Sequence, residues 1–365
     1  MKKRRLGRTG LYVSSIGFGG TWISELSTDK AEKVVRRSFD LGINYFDTAK
    51  LDGDSEEKIG SALKDVRDDC VFATKTASRT KSESLADFKS SLRRLKTDRL
   101  DLIQLHGIDD KKTLRKAMGQ NGSLEMCKKA RREGLVDFIG ITSHKPLVLI
   151  EAIETNEFDT VLVPLNVVTR QALEELIPRA KELDVGVAIM KPLSAKTSRL
   201  ITCLYEPSLS LLSNNPDLKG LLGSNSDSMV TSALRYVLAQ EVSVVVTGFK
   251  SVKEVEIAAK VGARYEGLTV QEKNSFMVNL GRDYCRDCGL CLPCSQNLDI
   301  AAILRFHTLY TVYGLKDWAK RLYDGLEINV TNCNKCDECE SKCPYHLPIT
   351  NLLQKTKDDF AALVS

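Results

Sequence analysis

No window of this 365-residue chain approaches the roughly 18 consecutive apolar residues of a membrane span. The basic start "MKKRRLGRTGLYVSSIGFGG" lacks an apolar stretch of signal-peptide length, because Ser14, Ser15 and the glycines interrupt it. The expectation is a cytoplasmic protein with no membrane partner. Charge of one sign is also missing. Lys and Arg total 53 against 48 Asp and Glu, and the net of +5 is spread along the chain. That excess describes a solvated surface and gives no reason to expect a nucleic-acid partner. A hydrophobic content of 42% and a charged content of 28% are ordinary for a soluble globular protein. The length exceeds one typical domain and falls short of three.

Over most of the chain cysteine is sparse as well. Cys70, Cys127 and Cys203 are scattered and read as buried or idle thiols. The other eight of the 11 lie between Cys285 and Cys343. In a reducing compartment, such clustering points to metal ligands before disulfides.

Eight β-rich apolar runs recur in the first 250 residues: "SSIGFG", "NYFD", "CVFATK", "DLIQLH", "FIGITS", "TVLVPLN", "GVAIMKPL" and "VSVVVTG". Charged helical patterns such as "STDKAEKVVRRSFDLG" separate them, with Gly42 where a helix C-cap belongs. Strands alternating with helices imply a parallel sheet, and eight repeats of this length imply a (β/α)8 TIM barrel. The expected domains are the barrel over residues 1–278 and a mainly α, ferredoxin-like iron–sulfur domain over 279–365. The fold class is α/β.

Polar residues end these strands: Asp47, Lys75, His106, Thr142 with Ser143, Asn166 and Lys191. Barrel enzymes keep their chemistry at the C-terminal ends of strands. Asp47, Lys75 and His106, on three successive strands, therefore face one another across an expected site; a satisfied ion cluster is the alternative. The long stretch 191–229, rich in Ser, Leu and Asn, is expected to form short helices and a loop over the mouth.

The cysteines fall into two runs. "CRDCGLCLPC" supplies Cys285, Cys288, Cys291 and Cys294, and "CNKCDECESKCP" supplies Cys333, Cys336, Cys339 and Cys343. The second run matches C-x2-C-x2-C-x3-C-P, the bacterial ferredoxin signature, in which the fourth cysteine ligates the other cluster. The implied arrangement is two [4Fe-4S] clusters. One is held by Cys285, Cys288, Cys291 and Cys343, the other by Cys333, Cys336, Cys339 and Cys294. Two four-cysteine zinc sites are the alternative. Between the runs, "DIAAILRFHTLYTVYG" and "LKDWAKRLYDGL" read as amphipathic helices. His307 and His346 read as packing or surface residues, because the ligand count is already full.

In order along the chain, "RRLGRTGLYVSSIGFGG", "GINYFDTA", "DRLDLIQLHGID", "FIGITSHKP", "VAIMKPL" and "VSVVVTG" resemble blocks of the aldo-keto reductases, over residues 3–260. The cysteine cassette resembles that of the branch with a ferredoxin-like extension. The resemblance implies a site of Asp, Tyr, Lys and His, in which the Tyr protonates a carbonyl oxygen while NADPH gives hydride. Asp47, Lys75 and His106 match. The Tyr belongs in a block like "FDTAxxYGxSE", and this chain has "FDTAKLDGDSE", which puts Asp52 in its place. A carboxyl of ordinary pKa, about 4, beside a protonated Lys75 is expected to stay ionised, which leaves His106, of ordinary pKa about 6.5, as the expected acid.

The implied cofactor contacts are Thr142, Ser143, Asn166, Lys191, Lys250 and Ser251, the last two fitting a 2′-phosphate. Leu162 stands where the family often has an amide-binding Gln. Lys196 takes a Gly position, and Glu254, Ile257 and Ala258 replace the family's adenine-binding Gln, Glu and Asn. NADP(H) is left open as a second cofactor.

The leading expectation is an iron–sulfur oxidoreductase acting on a small carbonyl or hydroxyl substrate by one-electron or reductive-elimination chemistry, with an electron-transfer protein as a candidate partner. One alternative is an NADPH-dependent carbonyl reductase with structural or sensory clusters. The other is a non-catalytic electron carrier or redox sensor.

Overall fold

A computed structural model of the chain describes residues 1–167, 169–193, 226–268, 270, 284–286, 288–311 and 316–361. The chain divides into two compact units, Met1–Leu193 with Val230–Leu268, and Ser194–Met229 with Thr269–Ser365.

The first unit is the expected barrel. Its strands are β3 (Ile16–Gly19), β4 (Tyr45–Asp47), β5 (Val71–Thr76), β6 (Leu100–Leu105), β7 (Val136–Thr142), β8 (Thr160–Pro164), β9 (Gly186–Met190) and β10 (Val244–Gly248). They pair in chain order, and β10 closes on β3, all parallel. Helices α1 (Thr28–Asp40), α2 (Ser55–Ala62), α3 (Lys81–Arg94), α4 (Lys111–Met118), α5 (Ser123–Arg132), α6 (Pro146–Ile153), α7 (Leu176–Glu182), α8 (Ser226–Leu238) and α9 (Val252–Arg264) lie between and after them. Local chemistry starts several helices. Thr80 and Asp110 accept the Glu83 and Thr113 backbone N–H groups and so cap α3 and α4. Gly42 follows α1 at φ +86°, as a C-terminal glycine should.

An antiparallel hairpin of β1 (Lys3–Arg5) and β2 (Tyr12–Ser14) closes the N-terminal end of the barrel. Arg8 donates its backbone N–H to Asp184 O, just before β9 begins. Leu6 and Val13 pack with Tyr45, Ala73, Leu102, Leu162, Ala188 and Val244 in the interior. At Gly7, φ is +49° and a Cβ would lie 2.2 Å from Gly186 N, so only glycine fits. With that end plugged, the C-terminal strand ends form the open mouth.

The second unit holds α10 (Ile300–Thr311), α11 (Lys316–Asp324), α12 (Glu338–Ser341) and α13 (Ile349–Ala361). The two expected amphipathic helices are thus present. Phe360 of α13 packs on Tyr310 and Tyr323, at ring-centroid distances of 5.2 and 4.6 Å. His307 is buried and pairs with Asp359 at 2.7 Å, which makes it a packing residue. Among the described residues no helix is long and apolar enough to cross a membrane. The expected lid over 191–229 lies largely outside the described residues, as do Cys203 and Lys196.

Candidate active site

Asp47 ends β4 and Lys75 lies near the end of β5, both buried, and their side chains form an ion pair. Lys75 Nζ also donates to Thr48 O at 2.8 Å. The second oxygen of Asp47 accepts Gln104 Nε2 at 2.8 Å. A buried ion pair persists when its remaining donors and acceptors are satisfied, and these two bonds do that. Gln104 is a site residue that the sequence did not single out. It reads as one more strand residue until pairing puts it beside Lys75, its register partner on β5.

Asp52 lies on the turn between β4 and α2. Its backbone N–H donates to Ala49 O, and its carbonyl accepts Ser55 N–H. Burial is the largest influence on its carboxyl and raises the pKa above the ordinary value. The Lys75 charge and a bond from Thr21 oppose that rise, and Asp47 and Glu56 add to it. Lys75 was expected to dominate this carboxyl, and instead desolvation outweighs the single cation, so the net shift is upward.

His106 moves the other way. Burial first, then the charges of Lys75, Arg79 and His144, push its imidazole down to about 3. It is neutral at physiological pH, so the expectation of an imidazolium acid is corrected too. Its own carbonyl accepts Arg79 Nη2 at 2.6 Å, which holds that cation beside the ring. Glu56, in the first turn of α2, is fully buried and accepts Thr74 Oγ1 of β5 at 2.7 Å.

A second constellation lies at the next strand ends. Asp109 accepts the Ser143 hydroxyl at 2.9 Å, the His144 backbone N–H at 2.6 Å and His144 Nδ1 at 3.0 Å. Burial alone would raise the Asp109 carboxyl, but the bonds from His144 and Ser143 hold it well below the usual carboxylate range. With Nδ1 tied to Asp109, His144 turns Nε2 toward Lys191 Nζ, 3.0 Å away. Lys191 sits at φ +57°, rare for a lysine, and its carbonyl is held by Asn166 Nδ2 at 3.0 Å. Asp109 and His144 were missed in the sequence because their pairing joins two loops 35 residues apart.

In the second unit, an open depression is lined by Cys294, Cys333, Cys336, Cys339 and Cys291. Cys294 therefore shares a wall with the three closely spaced cysteines of the other run. Ser295 Oγ lies 3.8 Å from Cys336 Sγ, and the Gln296 backbone N–H points to Cys294 Sγ at 3.4 Å. Cys291 is pushed up to about 12 by burial first, and then by Cys288, Cys339 and Cys343 as neighbouring charges. Among the described residues no three His, Cys, Asp or Glu side chains converge as they would on one metal ion. The sulfurs line one space, and donor type, spacing and the Gln296 N–H aimed at sulfur fit an iron–sulfur cluster.

A model of the "Aldo/keto reductase family" matches residues 15–265, and one of the "4Fe-4S dicluster domain" matches residues 284–348. The chain belongs to the aldo/keto reductase family. The oxidoreductase YqkF of Bacillus subtilis, itself described as uncharacterized, is 29% identical over 70% of this chain and 89% of its own. The L-galactose dehydrogenase of Arabidopsis thaliana is 30% identical over 74% of this chain and 91% of its own. The solved aldo-keto reductase AKR11C1 of Bacillus halodurans, in its holo form, superposes with a TM-score of 0.62 at 29% identity. It covers 76% of this chain and 95% of that one. The protein is thus an oxidoreductase of aldo/keto reductase type that carries a 4Fe-4S dicluster domain.

The family resemblance implies NADP(H), and the six residues expected to hold it are engaged elsewhere. Thr142 Oγ1 accepts Gly107 N–H, and Ser143 Oγ is bonded to Asp109. Asn166 holds the Lys191 carbonyl and the Thr169 N–H, and Lys191 faces His144. Lys250 Nζ pairs with Glu25 at 2.8 Å, and Ser251 Oγ caps α9 by accepting Glu254 N–H. Leu162, at the position of the amide-binding Gln, is 2% exposed within the apolar interior. Arranged this way, these residues do not fit a dinucleotide.

Proposed function

We propose that the barrel mouth acts on a small carbonyl or hydroxyl substrate, with Asp52 as the acid–base group and two [4Fe-4S] clusters supplying electrons. The observation that carries the proposal is Asp52 itself, a half-buried carboxyl in the place of the family phenol and beside the Asp47–Lys75 pair. Burial lets that carboxyl hold a proton at higher pH than an exposed one, which a proton donor to a carbonyl oxygen needs. Lys75, held by Asp47, places fixed positive charge where a carbonyl oxygen gains electron density. Neutral His106 can hydrogen-bond that oxygen without adding a second cation.

The eight cysteines would hold the clusters, which when bound would supply single electrons. Reduction of a carbonyl to an alcohol takes two electrons and two protons. Asp52 gives one proton to oxygen, and the other comes from solvent. The electrons would come from a one-electron donor protein by way of the clusters. The depression lined by Cys294 and the second cysteine run supports the cluster part of this reading.

The test is anaerobic stopped-flow mixing of dithionite-reduced protein with small aldehydes, ketones and hydroxy acids, following cluster reoxidation. The wild type is expected to be reoxidised by at least one compound, and Asp52→Asn about a hundredfold more slowly. Reoxidation by none of them, or equal rates in the two proteins, overturns the reading.

A further inference from the structure

The turn where β10 meets α9 carries an arrangement that the proposed chemistry does not use. Glu254 lies in the first turn of α9 and accepts the Lys250 backbone N–H at 2.6 Å, while its own N–H goes to Ser251 Oγ at 3.3 Å. The arrangement is like a capping box, with the carboxylate reaching one residue before the N-cap. It places a carboxylate oxygen on a backbone donor at the helix start, where an incoming phosphate would seek the same donor. Lys250 Nζ is held by Glu25 and lies 4.5 Å from the centroid of the Trp22 ring. Trp22 in turn presses on the end of β10, where a Cβ on Gly248 would fall 2.1 Å from Trp22 Cδ1. Lys250 thus meets one carboxylate at its ammonium and another at its backbone N–H, beside the Trp22 indole. Adenine contacts are missing as well, since Ala258 is buried in the helix packing.

We infer that this strand-end turn is self-occupied, with Glu254 and Glu25 standing where a nucleotide 2′-phosphate would bind, so that the barrel does not take 2′-phosphorylated nucleotides. The two carboxylates act differently. Glu25 is an exposed partner, easily displaced, that neutralises Lys250. The Glu254 carboxylate is held by the Lys250 backbone N–H and would meet a phosphate dianion with like charge at the helix start. Displacing Glu25 therefore does not open the site, whereas neutralising Glu254 does. The inference concerns this turn alone and holds whether or not the clusters feed the barrel.

Isothermal titration of the anaerobically purified holoprotein with 2′,5′-ADP and with NADPH at low ionic strength tests it. The wild type is expected to bind neither below millimolar concentration. Glu254→Gln keeps the oxygen that accepts the Lys250 N–H, so the helix start is preserved while the charge is removed. This variant is expected to bind 2′,5′-ADP at least tenfold more tightly than the wild type. Adding Glu25→Gln should tighten binding further, with an affinity that falls as salt is added. Glu25→Gln alone leaves the cap untouched and should bind no better than the wild type. Micromolar binding of 2′,5′-ADP by the wild type overturns the inference. So does a Glu254→Gln protein with an unchanged melting temperature and no gain in binding.

Discussion

Asp52 and His106 exchange the behaviour their ordinary pKa values would give them. Asp52 is raised, chiefly by burial, and His106 is lowered to about 3, again chiefly by burial. Each sits where its charged form is disfavoured, and each keeps the neutral form over more of the pH scale. For Asp52 the consequence for stability has a definite sign. Its folded pKa lies above the unfolded value, so its contribution is fully present below the unfolded pKa and is lost as pH rises through the folded one. An ionised Asp52 is therefore a burden at neutral pH. Asp52→Asn should resist urea better than the wild type at pH 8, and the gap should close toward pH 4. A gap that widens on acidification would show that Asp52 is stabilised as the anion. Neither direction could be read from "FDTAKLDGDSE". The sequence puts a carboxylate near a lysine, and only the fold shows that desolvation outweighs that lysine. What could be read was the strand-end rule: Asp47, Lys75 and His106 follow from polar residues closing apolar runs. Gln104, Asp109 and His144 follow from no local pattern, because their partners come from other strands and loops.

At the scale of elements, the eight strands were legible because each is a short apolar run with a polar end. The devices that fix the loops were not. Lys58 in "SEEKIG" reads as a surface lysine of α2, yet its side chain is only 4% exposed. Its Nζ donates to Ile23 O at 3.0 Å and Leu26 O at 2.8 Å, and pairs with Asp54 at 2.7 Å. Those carbonyls belong to the end of a short 3-10 helix, Gly20–Glu25, and the residue after it. The same helix carries Thr21, which bonds Asp52, and Trp22 and Glu25, which hold Lys250. One buried ammonium therefore ties together the loop that serves both the acid–base group and the self-occupied turn. Lys58→Met would keep the bulk, take the ammonium from the half-buried Leu26 carbonyl and leave the Ile23 carbonyl with only the Leu26 N–H. It should cost about 1–3 kcal/mol in urea unfolding. A cost below about 0.5 kcal/mol, the scatter of ordinary surface substitutions, would mean that water replaces the ammonium there.

At the scale of the whole molecule, the two cysteine runs decide how the second unit is built. The ferredoxin spacing implies that each cluster takes three cysteines from one run and the fourth from the other. Cys294 lines the same space as Cys333, Cys336 and Cys339, but so does Cys291, and crossing assigns only Cys294 to that cluster. Crossed and uncrossed ligation make opposite predictions for pairs of alanine substitutions, which supply no replacement ligand. With two clusters the wild type should carry about eight irons per chain, and loss of either cluster should leave about four. If ligation is crossed, Cys294→Ala combined with Cys333→Ala removes two ligands of one cluster and leaves about four irons. Cys294→Ala combined with Cys288→Ala then strikes both clusters and leaves almost none. If each run holds its own cluster, the two results trade places. Iron and sulfide assays on anaerobically purified protein separate these outcomes. Near-zero iron in every variant, including Cys294→Ala alone, would mean that neither cluster survives without the other, as expected if helices α10 to α13 fold only around both.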